Sequence, residues 1–165
     1  GPLLLLCFRS QRLRAFGQVA AGAAASWLVV NVPVMLLNFD GWANFYSFSS
    51  TRGADWGSLW YVFMAVGSPI PQSALNLVAS GLFLLLCGGI VLVSLGAERR
   101  PRYAQLAFLV VAAFCLTNKV YSPQYVLWLI PLAALARPRW RDFLIWQGSQ
   151  VLYAVSVWMF PGAQL

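Results

Sequence analysis

The sequence predicts an all-α fold, a polytopic bundle of transmembrane helices, and three observations lead to this prediction. First, 61% of the 165 residues are hydrophobic and only 9% are charged, whereas about 25% of the residues in a soluble domain are charged. Second, the apolar runs are continuous, as in membrane helices, and not alternating, as in the strands of a membrane barrel. Third, the basic residues fall in short clusters between these runs, which explains the net charge of +7 without nucleic acid as a partner.

The apolar runs predict about five spans, preceded by the tail of a sixth. The chain opens with GPLLLLCFRS, which lacks the charged segment that precedes the apolar run of a signal peptide. We therefore interpret this stretch as the end of a span, and we expect residues 1–165 to form one transmembrane domain at the C-terminal end of a longer protein. The five complete spans are predicted at residues 16–37, 75–95, 104–118, 123–136 and 143–160.

Nine of the eleven basic residues lie in three arginine triplets on alternate loops. The positive-inside rule places such loops in the cytoplasm. The protein is therefore predicted to be a multi-pass plasma-membrane protein, with segment 38–74 and loop 118–124 on the outer face. The triplets are Arg9, Arg12 and Arg14; Arg99, Arg100 and Arg102; and Arg137, Arg139 and Arg141.

Two of the predicted spans are too short to cross the membrane. At about 1.5 Å per residue, the spans at 104–118 and 123–136 reach about 22 Å and about 21 Å, whereas the hydrocarbon core is about 30 Å thick. Because arginines hold both spans at the inner side, loop 118–124 should lie at the outer interface or below it. Non-helical backbone at that depth must be buried in protein or line a wet cavity. Loop 118–124 is therefore predicted to form the floor of an outward-facing cavity.

The outer segment 38–74 is rich in aromatic residues. Two short helices are predicted in it, the first with Asp40 as its N-cap and the second after Asp55. These helices are expected to lie flat at the outer interface, where amphipathic aromatic side chains occupy the headgroup level. Indole faces can also stack on the C–H face of a sugar ring. The tryptophans considered for such sugar contact are Trp42, Trp56 and Trp60.

Lys119 is the main candidate for ligand binding. A lysine at the centre of a membrane costs about 2.5–3.5 kcal/mol, less near the surface, and it normally faces a partner. A lipid phosphate or pyrophosphate is one such partner, and four neighbours offer further hydrogen-bonding groups. The alternative is that Lys119 extends to the outer surface and contacts ordinary headgroups. The four neighbours are Asn118, Tyr121, Ser122 and Gln124.

The carboxylates of the outer face are Asp40 and Asp55. A sugar transfer to a hydroxyl needs a carboxylate base, but helix capping is the stronger interpretation of Asp40. Asp55 can bind a sugar hydroxyl together with Arg52 and Trp56, or it can pair with Arg52 within the turn. The chain contains no histidine, which excludes histidine-based acid–base or metal chemistry within it. No metal site and no cofactor are predicted.

Three stretches together resemble a known family: GPLLLLCFRS, FYSFSSTRGADWGSLWY and TNKVYSPQYVLWLIPLAALARPRWR. They are similar to the later part of the actinobacterial membrane glycosyltransferases of family 87, polyprenol-phosphate-mannose-dependent mannosyltransferases with the GT-C fold. The resemblance covers essentially this whole chain, but only the C-terminal portion of the family's length. The most specific part is the string of lysine, tyrosine, serine, proline and glutamine in loop 118–124.

The resemblance implies an inverting transfer of a sugar, mannose, from a polyprenyl-phosphate donor to a glycolipid or cell-envelope glycan at the outer face. It places the catalytic aspartate in the first outer loop, outside this chain, so this segment is expected to be inactive by itself. Loop 118–124 is implied to be a donor-phosphate or acceptor site. Partners are thus the lipid-linked donor, the acceptor and the bilayer, with no nucleic acid.

Two other functions fit parts of the pattern. Paired short helices around a polar break also mark the binding sites of transporters and lipid flippases. However, a transporter should show an internal repeat and midplane polar residues, whereas this polar cluster lies toward the outside. A noncatalytic membrane subunit that docks a partner through the aromatic segment is the third possibility.

Overall fold

The computed structural model describes residues 2–55, 57–68 and 70–159, apart from the side chains of 157 and 158. Within this part of the chain every regular element is helical, which confirms the predicted all-α class. Eight α-helices and one 3₁₀ turn, Pro123–Tyr125, follow one another. The α-helices are α1 Pro2–Arg9, α2 Leu13–Leu37, α3 Phe39–Thr51, α4 Leu59–Ala65, α5 Gln72–Gly96, α6 Tyr103–Thr117, α7 Val126–Ala136 and α8 Trp140–Met159.

Two of the helices in the described residues, α2 and α5, are long and apolar enough to cross a membrane. Each contains 25 residues, which corresponds to about 37 Å at 1.5 Å per residue, more than the thickness of the hydrocarbon core. Much of their surface is exposed apolar side chain, including Leu36 at 82% and Leu77 at 76% exposure. Such surface fits contact with lipid, and the full number of spans stays a prediction.

The chain divides into two compact units, Gly1–Arg52 and Gly53–Leu165, with the boundary inside the aromatic segment. The first unit comprises α1, α2 and α3. The indole N–H of Trp42 on α3 donates to Asn31 Oδ1 on α2 over 3.0 Å. The ring of Trp42 also lies 4.8 Å from that of Tyr46. The hydrogen bond thus holds the first aromatic helix against α2, whereas the ring contact lies within α3 itself.

The N-cap of α3 is Asn38, so the prediction of Asp40 was wrong. The side-chain oxygen of Asn38 accepts a hydrogen bond from the N–H of Gly41 over 2.8 Å. Phe39 is already helical, and Asp40 therefore lies in the first turn. A carboxylate in that turn still interacts favourably with the helix dipole, so Asp40 has an ordinary structural role.

The second unit contains α4 to α8 around a small buried core of Trp60, Leu75 and Ala79. The N-cap of α4 is Ser58, whose hydroxyl accepts from the N–H of Tyr61 over 3.2 Å. The second aromatic helix therefore starts three residues later than Asp55 would place it. The backbone carbonyl of Asp55 instead accepts from the N–H of Ser58 over 3.1 Å and closes the preceding turn.

The two segments predicted as short spans are short apolar helices. α6 has 15 residues, while the 3₁₀ turn and α7 have 3 and 11. The guanidinium of Arg102, just before α6, donates to the carbonyl of Ala136 at the end of α7 over 2.8 Å. The two helices are therefore antiparallel. The arginine loops lie at one end of this pair, and the loop from Asn118 to Ser122 lies at the other.

Candidate functional site

Lys119 lies where the backbone leaves α6. Asn118 ends the helix with φ −67° and ψ 144°, an extended conformation, so the chain turns away from the helix axis. The ammonium of the half-buried Lys119 then donates to Asn76 Oδ1 on α5 over 2.5 Å. The amide oxygen compensates part of the cost of burying the charge. Lys119 is thus held against α5 and not directed away from the unit.

Beside Lys119 is a cleft between α5 and α6, with a volume of about 290 Å³. Its polar end contains Asn76, Asn118 and Lys119. The wall of the cleft becomes apolar seven to eight residues after Asn76 along α5, a distance of about 10–12 Å. There the rings of Phe83 and Phe114 meet edge to face at 6.2 Å. The other lining residues of this α5–α6 cleft are Ala79, Ser80, Leu84 and Thr117.

Two hydrogen bonds attach the segment before α5 to the end of α6. The indole N–H of Trp60 donates to the carbonyl of Thr117 over 2.9 Å, and the N–H of Asp55 donates to the carbonyl of Lys119 over 2.9 Å. The last carbonyls of a helix have no partner within it. The Trp60 indole satisfies the Thr117 carbonyl from outside the helix, and the Asp55 N–H fixes the backbone of Lys119 two residues later. These two bonds give the polar end of the cleft a defined backbone.

Three tyrosines pack on the other side of the loop. The hydroxyl of Tyr121 donates to Gln150 Oε1 on α8 over 3.1 Å, and its ring lies 5.2 Å from that of Tyr153 and 6.0 Å from that of Tyr125. Burial raises the pKa of the Tyr121 hydroxyl above its ordinary value, with a smaller contribution from the nearby Cys115 thiol. Tyr121 therefore stays a protonated hydrogen-bond donor and anchors the loop to α8.

Gly57 allows a close approach between its own loop and α8. Its φ is +75°, in the left-handed region that favours glycine. A Cβ at this position would overlap the hydroxyl of Tyr153. The Tyr153 hydroxyl itself donates to the carbonyl of Tyr121 over 3.5 Å. The loop before α4, α8 and the loop after α6 thus share one packed junction.

The structure brings several of the predicted site residues together. Asn118 and Lys119 line the α5–α6 cleft, and the Asp55 backbone contacts Lys119 directly. Tyr121 and Ser122 follow in the same loop and are half-buried. These five residues form a continuous region of the second unit.

The lining of the α5–α6 cleft does not include Gln124, Arg52 or Trp60. Gln124 is exposed. Arg52 belongs to the first unit, and its guanidinium lies over the ring of Phe48, 5.9 Å from the centroid. Trp56 lies outside the described residues. Trp60 is 5% exposed and uses its indole N–H internally, so it is a core residue and does not offer a face to a sugar.

Sequence reasoning did not identify Asn76, the partner of Lys119. Asn76 and Ser80 lie four residues apart near the start of a largely apolar helix, which places them on one face. Both line the cleft. Two polar residues at helical spacing near one end of an apolar run were therefore the sequence signal from which the α5 wall of the cleft could have been predicted.

The site combines one ammonium and two amide side chains with an adjoining apolar wall. Ammonium and amide N–H groups are the donors that bind phosphate oxygens, and apolar walls hold hydrocarbon. This arrangement fits an amphiphile with an anionic head. No family model, no curated protein and no solved structure matches this chain.

Proposed function

We propose that this chain is part of an integral-membrane glycosyltransferase with a GT-C-like bundle of about five spans. It transfers a sugar, mannose, from a polyprenyl-phosphate donor to a glycolipid or cell-envelope glycan on the outer face of the plasma membrane. The contribution of this segment is to bind the donor lipid in the α5–α6 cleft. The catalytic base comes from another part of the enzyme.

One observation carries the proposal: the Lys119 ammonium lies at the polar end of an otherwise apolar cleft. A polyprenyl phosphate has the same division, with a charged phosphate joined to a branched hydrocarbon chain. The phosphate pairs with Lys119 and the amide of Asn118, while the first isoprene units lie against Phe83 and Phe114. The polar end of the cleft thus complements the phosphate of the donor, and its apolar wall complements the isoprenoid chain.

The depth of the site supports a lipid-linked donor. Because α6 and α7 are shorter than the hydrocarbon core is thick, and arginines occupy their opposite end, we expect the Lys119 end to lie below the outer surface. A donor whose phosphate remains at the headgroup level reaches this position while its chain stays in the bilayer. A water-soluble nucleotide sugar would need an open aqueous path and has no use for the apolar wall.

Lys119 also suits the chemistry of the transfer. When the sugar leaves its phosphate, negative charge grows on the phosphate oxygens. A fixed ammonium close to these oxygens stabilises the developing charge more strongly in a water-poor site than in bulk water. Lys119 is therefore proposed to bind the donor and to stabilise the leaving phosphate. It moves no proton in this scheme.

A photoreactive polyprenyl phosphate tests the proposed location in membranes that contain the complete enzyme. Cross-links should map to peptides covering residues 76–84 and 114–119. An excess of unlabelled polyprenyl phosphate should abolish them, whereas the uncharged polyprenol should compete weakly. Labelling elsewhere, or equal competition by both lipids, would exclude the cleft as a phosphate-selective site.

A further inference from the structure

The second unit has another cavity at its arginine end, a partly open one lined by residues of α6, α7 and α8. Its volume is about 300 Å³, and a neighbouring cavity of about 190 Å³ shares Arg137 and Phe143 with it. Leu109 is the last α6 residue that lines the cavity, and the eight residues from there to Thr117, the end of α6, correspond to about 12 Å. The cavity is therefore separated from Lys119 by about half of that helix. It is independent of the proposed donor cleft.

The rim of this α6–α8 cavity carries an excess of positive charge. Arg137 contacts Asp142 over 2.8 Å, and the second carboxylate oxygen of Asp142 lies 3.7 Å from Arg141. Arg139 lines the neighbouring cavity, and Arg102 donates to the carbonyl of Ala136 on the same rim. Arg137 and Arg141 thus approach the Asp142 carboxylate, and Arg102 and Arg139 add two further guanidinium groups at this end of the unit. The first turn of α8 adds the positive end of a helix dipole.

The interior of the cavity is apolar and aromatic. The ring of Trp146 meets that of Phe108 edge to face at 6.4 Å and that of Phe143 at 6.0 Å. Leu109 and Ala133 complete the wall, and Gln105 is also present. Gln105 is already engaged, since its side-chain oxygen accepts from the N–H of Arg102 over 2.9 Å. An apolar interior under a basic rim suits a hydrocarbon chain joined to an anion.

We propose that this cavity binds one anionic phospholipid of the leaflet opposite to the donor. The phosphodiester pairs with Arg137 and Arg139, and one acyl chain enters between Phe108, Phe143 and Trp146. Arginine binds phosphate through paired N–H donors, and basic pockets between membrane helices are typical sites for acidic headgroups. The inference requires a membrane location but neither glycosyl transfer nor a role for Lys119.

Lipid binding to the purified complete protein tests this site. The protein is placed in zwitterionic detergent and titrated with phosphatidylglycerol or phosphatidylcholine, and bound lipid is counted by native mass spectrometry. The double variant Arg137→Gln/Arg139→Gln should weaken phosphatidylglycerol binding about 30-fold, the size expected when two arginine contacts near a lipid surface are lost. Phosphatidylcholine binding should remain weak in every variant.

The matched control is Arg99→Gln/Arg100→Gln, which removes the same charge from exposed positions before α6. It should change binding less than about twofold, because these side chains do not line the cavity. Equal losses in the two double variants would mean that only general surface attraction is present, and this would overturn the proposal. No loss in Arg137→Gln/Arg139→Gln would also overturn it.

Two further measurements separate a lipid site from a plain anion site. Ala133→Phe fills the cavity without changing its charge and should weaken phosphatidylglycerol binding by a similar factor. Glycerol phosphate, which has the headgroup chemistry without acyl chains, should not displace the lipid at millimolar concentration. Displacement by glycerol phosphate, or full lipid binding by a folded Ala133→Phe variant, would contradict insertion of a chain.

Discussion

Gly57→Ala is expected to lower the free energy of unfolding by about 2–5 kcal/mol. Alanine at a φ of +75° is strained by about 1–2 kcal/mol. In addition, the new methyl group overlaps the hydroxyl of Tyr153 and pushes α8 away from the loop, and such overpacking costs about 1–3 kcal/mol. The change in stability can be measured by thermal or detergent-induced unfolding of the purified protein.

Gly67→Ala is the matched control, since Gly67 has a φ of +77° but no neighbouring atom within 4 Å of the new Cβ. It should show the backbone strain alone. The difference between the two variants measures the overlap with Tyr153. Tyr153→Phe should recover most of this difference when combined with Gly57→Ala. Equal destabilisation by both glycine variants would disprove the close packing of Gly57 on α8.

Lys119→Gln is expected to reduce kcat/KM for the polyprenyl-phosphate sugar by about 10- to 100-fold in the complete enzyme. The variant keeps a polar side chain of similar reach to Asn76 but removes the charge. Hydrogen bonds to charged groups contribute about 1.5–3 kcal/mol, which corresponds to this range. If Lys119 binds only the ground state, KM rises; if it also stabilises the leaving phosphate, kcat falls as well.

Arg99→Gln is the control for Lys119→Gln, because it removes one positive charge from an exposed position outside both cavities. Its kinetic constants should match those of the unmodified enzyme.

The main rival function is lipid translocation. Measuring both sugar transfer and lipid translocation in vesicles distinguishes the two functions. If the protein is a lipid flippase, Lys119→Gln should lose translocation, and neither the variant nor the unmodified protein should transfer sugar. Unchanged transfer by Lys119→Gln would remove this residue from the mechanism.

The helices could be predicted from sequence because hydrophobic runs are local properties of the chain. The run at 16–37 became α2, Leu13–Leu37, and the run at 75–95 became α5, Gln72–Gly96. Cap residues were harder to predict. Asn38 and Asp40 are both good caps, and the choice depends on which residue first becomes helical. That choice follows from packing as well as from sequence.

Of the candidate site, only the loop that contains Lys119 could be predicted from the sequence. Lys119 was recognisable because a lysine between two apolar runs needs a partner. Its partner, Asn76, lies 43 residues away, and sequence alone does not give the rotation of α5 against α6. The junction of Gly57 with Tyr153 was missed for the same reason, since it depends on three segments meeting in space.

The most direct measurement is the reactivity of a single cysteine at position 118, in a complete enzyme whose Cys7, Cys87 and Cys115 are replaced by alanine. A membrane-impermeant maleimide should modify Asn118→Cys from the outer face of intact cells, and polyprenyl phosphate, but not polyprenol, should protect it. A cysteine at Arg100 should react only after the membrane is opened. Modification of position 118 only from the inner side, or no protection by the phosphorylated lipid, would contradict a donor site at Lys119.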